Sequence, residues 1–220
     1  MRSEKRPDGL SFIEQARRRQ ILDGAARVIV EVGYANASLV RIGEAIGSSK
    51  GGILYHFPDK NTLVGALVLD IYQRGAAAIA AAVRAAGDST GARLRAYLLA
   101  NLAFTAAHRT EAMALVELSS GYRSPEGWRL DEVIRHWLDD PARSAEERAE
   151  LAVLDLVPLL RQGVADGEFR PSLDPDAVAT ALRGAIDAAA SRWARDPRFD
   201  PEAYGRELAD FADHACRRTP

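Results

Sequence analysis

Apolar positions along this chain recur every three to four residues, and the period-two alternation of a half-buried strand is missing. Ile21, Ala25, Ile29 and Val32 share one helical face behind Ser11-Phe-Ile-Glu14, a capping box, and Gly33 supplies a C-terminal stop. Ser38 then caps a short segment, Leu39 to Ile46, closed by Gly47. Ser49 caps a second, from Lys50 to about His56, and Asp59 opens an alanine-rich run that lasts to about Ala86. Further starts stand at Ser89, Thr110, Ser124-Pro125, Ser144, Asp174-Pro175 and Asp200-Pro201, the last two pairs placing proline at the first helical position. One helix is expected from Ala145 to Asp166, kinked at Pro158, where proline removes an amide donor. The pattern predicts an all-α protein of about nine to ten helices.

The two short segments raise a specific question. Gly51 and Gly52 stand side by side in a stretch that reads as helix, where each glycine costs about 1 kcal/mol against alanine. A phosphate-cradling loop would need glycines at other spacings and a preceding strand, and the order Gly47-Ser-Ser-Lys50-Gly51-Gly52 fits neither nucleotide fingerprint. A flexible turn leaves Ile53, Leu54 and Phe57 at helical spacing without explanation. A helix-turn-helix accounts for all of it: Leu39, Ile42, Ile46, Ile53, Leu54 and Phe57 pack inward, and Lys50, Gly51, Gly52 and Tyr55 face out. On a helix lying in the major groove, missing side chains let the backbone approach, so these four are the candidate base-reading residues. Ser38, Arg41, Ser49, His56 and Lys60 are the candidate phosphate contacts.

Charge supports this only mildly. The chain has 220 residues and a formal net charge of -2, but residues 1–70 hold 10 Lys+Arg against 8 Asp+Glu, and all three lysines, Lys5, Lys50 and Lys60, fall there. With 47% hydrophobic residues it can bury a core, and its single cysteine, Cys216, rules out an intrachain disulfide and points to a reducing compartment. Hydrophobic runs fall short of the roughly 20 residues of a bilayer span, so a soluble cytoplasmic protein without a membrane partner is expected.

Residues Gly33 to Val68, GYANASLVRIGEAIGSSKGGILYHFPDKNTLVGALV, resemble the DNA-binding domain of the TetR family of bacterial transcriptional regulators. The shared pattern is a glycine-aromatic pair, a Ser/Thr cap, an I-A-x-x-A-G-V-S-like turn, a glycine, an aromatic cluster ending in phenylalanine, and a lysine opening the next helix. Ser48, Gly43 and Leu54 depart from it, standing where valine, alanine and a DNA-touching tyrosine are usual. The resemblance implies a homodimeric repressor that binds a double-stranded, palindromic operator and releases it when a small-molecule effector occupies the helical C-terminal domain. It implies a flexible arm over 1–11, a reading domain over 12–60, and an effector and dimerisation domain over 61–220.

The residues permit both later functions. Leu94, Tyr97, Leu98, Asn101, Phe104 and His108 form a stripe, and with Met113, Tyr122, Trp128 and Trp137 they supply the candidate effector pocket: Tyr97, Asn101, Phe104, His108, Met113, Tyr122, Trp128 and Trp137. The same stripe also reads as plain core. For the dimer, Val178, Ala181, Leu182, Ala185, Ile186 and Ala189 lie on one helical face and Leu208, Phe211 and Ala212 on another, a set that reads equally as intramolecular core. His108 and Glu111 are half of a carboxylate-bridged metal pattern whose second half is missing, and G-x-S-x-G is absent, so neither a metal, a cofactor nor catalysis is expected. A helical protein that uses the N-terminal unit for protein contacts is the alternative to a DNA-binding regulator.

Overall fold

The computed structural model describes residues 11–138 and 144–218; the expected N-terminal arm over 1–11 lies outside them except for Ser11. Eleven helices run through the described residues: α1 (Phe12–Asn36), α2 (Leu39–Ala45), α3 (Lys50–Leu54), α4 (Lys60–Ala85), α5 (Thr90–Ala107), α6 (Arg109–Gly121), α7 (Leu130–Leu138), α8 (Ala145–Ala152), α9 (Val157–Ala165), α10 (Pro175–Arg195) and α11 (Pro201–Cys216). Outside them is a single antiparallel bridge, Phe169 to Arg217. The all-α expectation holds, and the extra helix has a clear origin. The segment expected to run unbroken from Ala145 to Asp166 stops at Ala152 and restarts at Val157, with Pro158 in the first turn of α9. Proline at that position needs no amide partner, so the chain begins a helix there instead of kinking one.

Sequence caps act as read. Ser11 and Glu14 close a reciprocal capping box on α1. Ser38, Ser49 and Ser89 accept from Arg41, Gly52 and Ala92, and Asp174 and Asp200 each accept from two amides at the starts of α10 and α11. Gly33 leaves helical geometry at φ 76°, ψ 156°, the left-handed side that glycine alone enters without strain. Ser124-Pro125 opens no helix: the Ser124 hydroxyl accepts from Glu126 and Trp128 in a turn, and α7 begins six residues later. By length and composition α4 could cross a membrane, with a mean hydropathy of 1.4 over its most apolar window, contrary to the expectation that no segment would. Its alanines account for much of that value, and Leu63, Val64, Leu67, Val68, Ile71, Ala76 and Ile79 are buried within the protein.

The chain divides into two compact units. Residues up to Ile71 join Met113–Ile134 in the first; Tyr72–Ala112 joins Arg135 onward in the second. In the first, Ile21, Ala25 and Ile29 of α1 are fully buried with Ile42, Ile53 and Phe57. In the second, α11 packs along α5, close enough that a Cβ on Gly205 would meet the Leu102 side chain at 2.9 Å. Leu94, Leu98, Leu102, Leu160, Leu182, Ile186, Ala189, Leu208, Ala212 and Cys216 form its core, and burial raises the Cys216 thiol pKa.

Two contacts in this unit carry predictions. A Cβ at Gly163 would stand 2.2 Å from the Phe169 ring, which cannot retreat within a packed core. Gly163→Ala is expected to cost about 1–3 kcal/mol, read as a lower midpoint of chemical denaturation; an unchanged midpoint contradicts the contact. Glu168 caps α5 from outside its own sequence, taking the amides of Thr90 and Gly91 and the Ser89 hydroxyl. The Gly91 amide first, and then the Ser89 hydroxyl, hold the Glu168 pKa below its ordinary value. A depressed carboxyl pKa stabilises the fold above the unfolded value, about 4.3, and the contribution is lost as pH falls through that value and below. Glu168→Gln should therefore lower stability at neutral pH and flatten the acid limb of the stability profile; parallel profiles for the two proteins would exclude the cap as a source of it.

Candidate nucleic-acid interface

The first unit presents α3 through a turn that admits few alternatives. Gly47 turns the chain at φ 64°, and the Ser48 amide donates to the Gly43 carbonyl at 2.8 Å. Gly43 has no room for a side chain, because a Cβ there would lie 2.7 Å from the Ser48 carbonyl oxygen. With α2 and α3 so joined, Ile46 is buried from one side and Ile53 and Phe57 are fully buried from the other. Arg18 adds a clamp from α1: Nη1 donates to the His56 carbonyl at 2.8 Å while the guanidinium lies 4.3 Å from the centre of the Phe57 ring. Arg18 thus serves the fold, and Arg19 pairs with Asp70 at 2.8 Å and Asp23 at 3.0 Å.

What remains outside is the expected surface with four changes. Ser38, Arg41, Ser49, Lys50, Gly51 and Tyr55 are exposed, Tyr55 by 78%. Leu54, expected to point inward, is 38% exposed, because α3 ends at Leu54 and its inward side is already filled by Ile53 and Phe57. The glycines differ from each other. A Cβ on Gly51 meets nothing closer than the Ser49 hydroxyl at 3.7 Å, whereas one on Gly52 would come 2.6 Å from the Ser48 hydroxyl. Gly52 is thus explained partly by the turn itself, and Gly51 alone is bare without an internal reason. Lys60 is turned inward: its ammonium donates to the Tyr34 carbonyl and lies 4.0 Å from the Tyr34 ring centre, and burial lowers its pKa. A phosphate grip by Lys60 would have to break that bond. His56 is partly buried, edge-on to Tyr55, and its pKa is lowered by burial and then by the Arg18 and Arg17 charges.

The candidate effector residues divide between the two units. Tyr97, Asn101, Phe104, His108 and Trp137 belong to the second unit, and Met113, Tyr122 and Trp128 to the first. Tyr97 is buried with its hydroxyl donating to the Leu154 carbonyl at 3.2 Å, and the Asn101 amide donates to the Tyr97 carbonyl one turn back at 2.9 Å. Phe104 stacks on His108 with ring centres 4.1 Å apart. In the first unit Tyr122 meets the Tyr34 ring edge-on at 5.6 Å, and Trp128 is at the surface. Glu111, half of the sequence's metal pattern, pairs with Arg74 at 3.3 Å. Of the candidate dimer residues, Leu182, Ile186, Ala189, Leu208 and Ala212 lie in the core of their own unit, Val178 and Ala185 are partly buried, and Ala181 and Phe211 are exposed. The stripe stated that these helices bury a face, and that face is filled from within.

A helix-turn-helix with a nearly bare second helix on a larger helical body defines a bacterial DNA-binding regulator, and the comparisons place it within a family. The family model for bacterial regulatory proteins of the tetR family matches residues 21–67. The HTH-type transcriptional regulator BetI of Cronobacter sakazakii is 34% identical over 141 residues, 63% of this chain and 69% of that one. The chain belongs to the TetR family. The HTH-type transcriptional repressor Rv1474c of Mycobacterium tuberculosis is 52% identical over 62 residues, so the match spans 28% of this chain and a third of that protein. The crystal structure of the regulator FadR from Bacillus subtilis in complex with stearoyl-CoA shares the fold, with a TM-score of 0.72 over 90% of this chain and 98% of that one at 18% identity.

The two glycines can be separated by experiment. Gly51→Ala should raise the melting stability by up to about 1 kcal/mol, since alanine suits an open helical position, and should weaken binding to the selected operator at least about tenfold if the backbone there lies against DNA. Gly52→Ala should show no such gain in stability, because the Ser48 hydroxyl has to move. Operator affinity unaltered by Gly51→Ala would remove the close approach.

Proposed function

We propose that the protein is a homodimeric repressor that binds a two-fold operator through α2 and α3 and releases it when a small molecule occupies its C-terminal helical part. The observation that carries this reading is the exposed surface of Lys50, Gly51 and Tyr55, held in place by the fully buried Ile53 and Phe57. Lys50, Gly51, Gly52 and Tyr55 face base edges, with Gly51 as the point of nearest approach. Ser38, Arg41, Ser49 and His56 meet phosphates, with Lys60 available once freed from Tyr34. Residues 12–60 act as the reading part and 61–220 as the effector and dimerisation part, in the cytoplasm, and no reaction is catalysed.

One short helix reads too few base pairs to select an operator, so a second copy is required. Support for where it docks comes from α10 and α11: Ala177, Ala181, Gly184 and Ala188 form an exposed stripe of small residues, and Phe211 is 68% exposed. Small residues let helices of two copies approach closely, and a phenylalanine so placed gains most by being covered. The effector reading is supported by the fold shared with a regulator solved with stearoyl-CoA, a ligand with a long apolar tail.

Selection of duplexes from a random pool at low salt provides the test, followed by titration of the recovered site. Lys50→Ala and Tyr55→Ala are expected to relax base choice by about 1–3 kcal/mol, whereas Arg41→Ala should weaken cognate and random DNA alike and reduce the salt slope by about one. Equal losses on cognate and random DNA for all three variants would defeat the base-reading assignment. In sedimentation, Phe211→Glu should shift the protein to monomer.

A further inference from the structure

Leu54 has no internal reason to be leucine. Ile53 and Phe57 are without exposed surface and fill the space under α3, while 38% of Leu54 stays open to solvent. Single apolar residues at a protein surface are ordinary, so this exposure gains meaning only from its place. Helical geometry continues past Leu54, with Tyr55 at φ -61°, ψ -35°. Lys50 stands four residues before Leu54 and Gly51 three before it, the two spacings that make helical neighbours. A helical side chain leans toward the N-terminus and covers the turn before its own Cα. Leu54 therefore leans over the turn that Lys50 and Gly51 form.

That turn is the most open part of the surface. A Cβ on Gly51 would meet nothing closer than the Ser49 hydroxyl at 3.7 Å, so the backbone there can settle against DNA and bring its flanking side chains to the base edges. The flanking groups differ in chemistry. Lys50 is exposed and offers an ammonium, a donor without acceptor capacity, which suits guanine N7 and O6. The Tyr55 ring is braced edge-on by His56, with centres 5.0 Å apart. Leu54 offers only methyl groups. Set against a base-edge donor or acceptor, it would strip water from that group and return no hydrogen bond. The apolar group that distinguishes one base pair from another in the major groove is the C5 methyl of thymine.

We infer that Leu54 is a specificity-determining residue of the operator contact: it packs on the C5 methyl of a thymine in the base pair adjoining the guanine that Lys50 reads, once in each half of the operator. The inference rests on the DNA-reading proposal above and adds to it a base and the atom by which that base is recognised.

Exchanging single thymines of the selected operator for uracil tests it, because the exchange removes the methyl and leaves the base pair and its hydrogen-bonding groups in place. In fluorescence anisotropy with the full chain, wild-type affinity should fall about threefold or more at one thymine in each half-site, beside a guanine. Leu54→Ala should lose about as much on the unmodified operator and nothing further on exchange, and its affinity for random duplex should match wild type. Leu54→Met, which keeps an apolar end, and Tyr55→Ala should both retain the sensitivity to exchange. An equal loss on operator and random duplex in Leu54→Ala would show a residue that only supports α3 and would overturn the inference. A selected operator with no thymine sensitive to exchange, or with a sensitivity that survives Leu54→Ala, overturns it as well and leaves the operator reading standing. Failure to recover any preferred duplex from the random pool defeats that reading, and this inference with it.

Discussion

A helix of five residues cannot exist by itself in water, since nucleation costs more than a single turn of hydrogen bonds returns. α3 persists because Ile53 and Phe57, both without exposed surface, are fixed under it and because the Gly43–Ser48 contact sets its direction from α2. Its stability is therefore borrowed from α1 and from the turn. That is what frees its outer face to be nearly bare: side chains there are not needed to hold the helix, so Gly51 can stand open and Tyr55 can stand in solvent. The reading surface and the buried surface are two sides of one short element, and a change to either reaches the other.

Much of this was legible in the sequence because caps and turns are local signals. Ser11, Ser38, Ser49, Ser89, Asp174 and Asp200 each need only a neighbour within three residues, and all six accept the amides expected of them. Ser124-Pro125 failed because the same chemistry closes a turn as readily as it opens a helix, and what followed, Gly127 at φ 88°, could not continue one. Leu54 failed for a different reason. Helical spacing placed it on the inner face, but α3 ends at that residue and the inner space is taken.

Long-range partners were not legible. The stripes on α10 and α11 state correctly that a face is buried and say nothing about what covers it, so Leu182, Ile186 and Leu208 could equally have met a second copy. Lys60 looked like a free cation in the sequence and is held by a carbonyl and ring 26 residues earlier. Asn101, counted in the sequence with the candidate effector pocket, donates to the Tyr97 carbonyl one turn back. Glu168, which no motif singles out, caps a helix that begins 78 residues before it. Each of these depends on which elements meet, and periodicity carries no information about that.

The charged pairs sort by what surrounds them. Exposed pairs such as Arg161–Asp176 and Arg198–Asp196 stand in high dielectric and are worth a few tenths of a kcal/mol each. Arg183–Asp187, at the commonest helical spacing, still leaves 41% and 63% of its side chains open and belongs with them. Arg74–Glu111 is the more enclosed pair, at 27% and 16% open, so removing one of its partners would leave the other in less water and cost the fold more than the loss of an exposed pair.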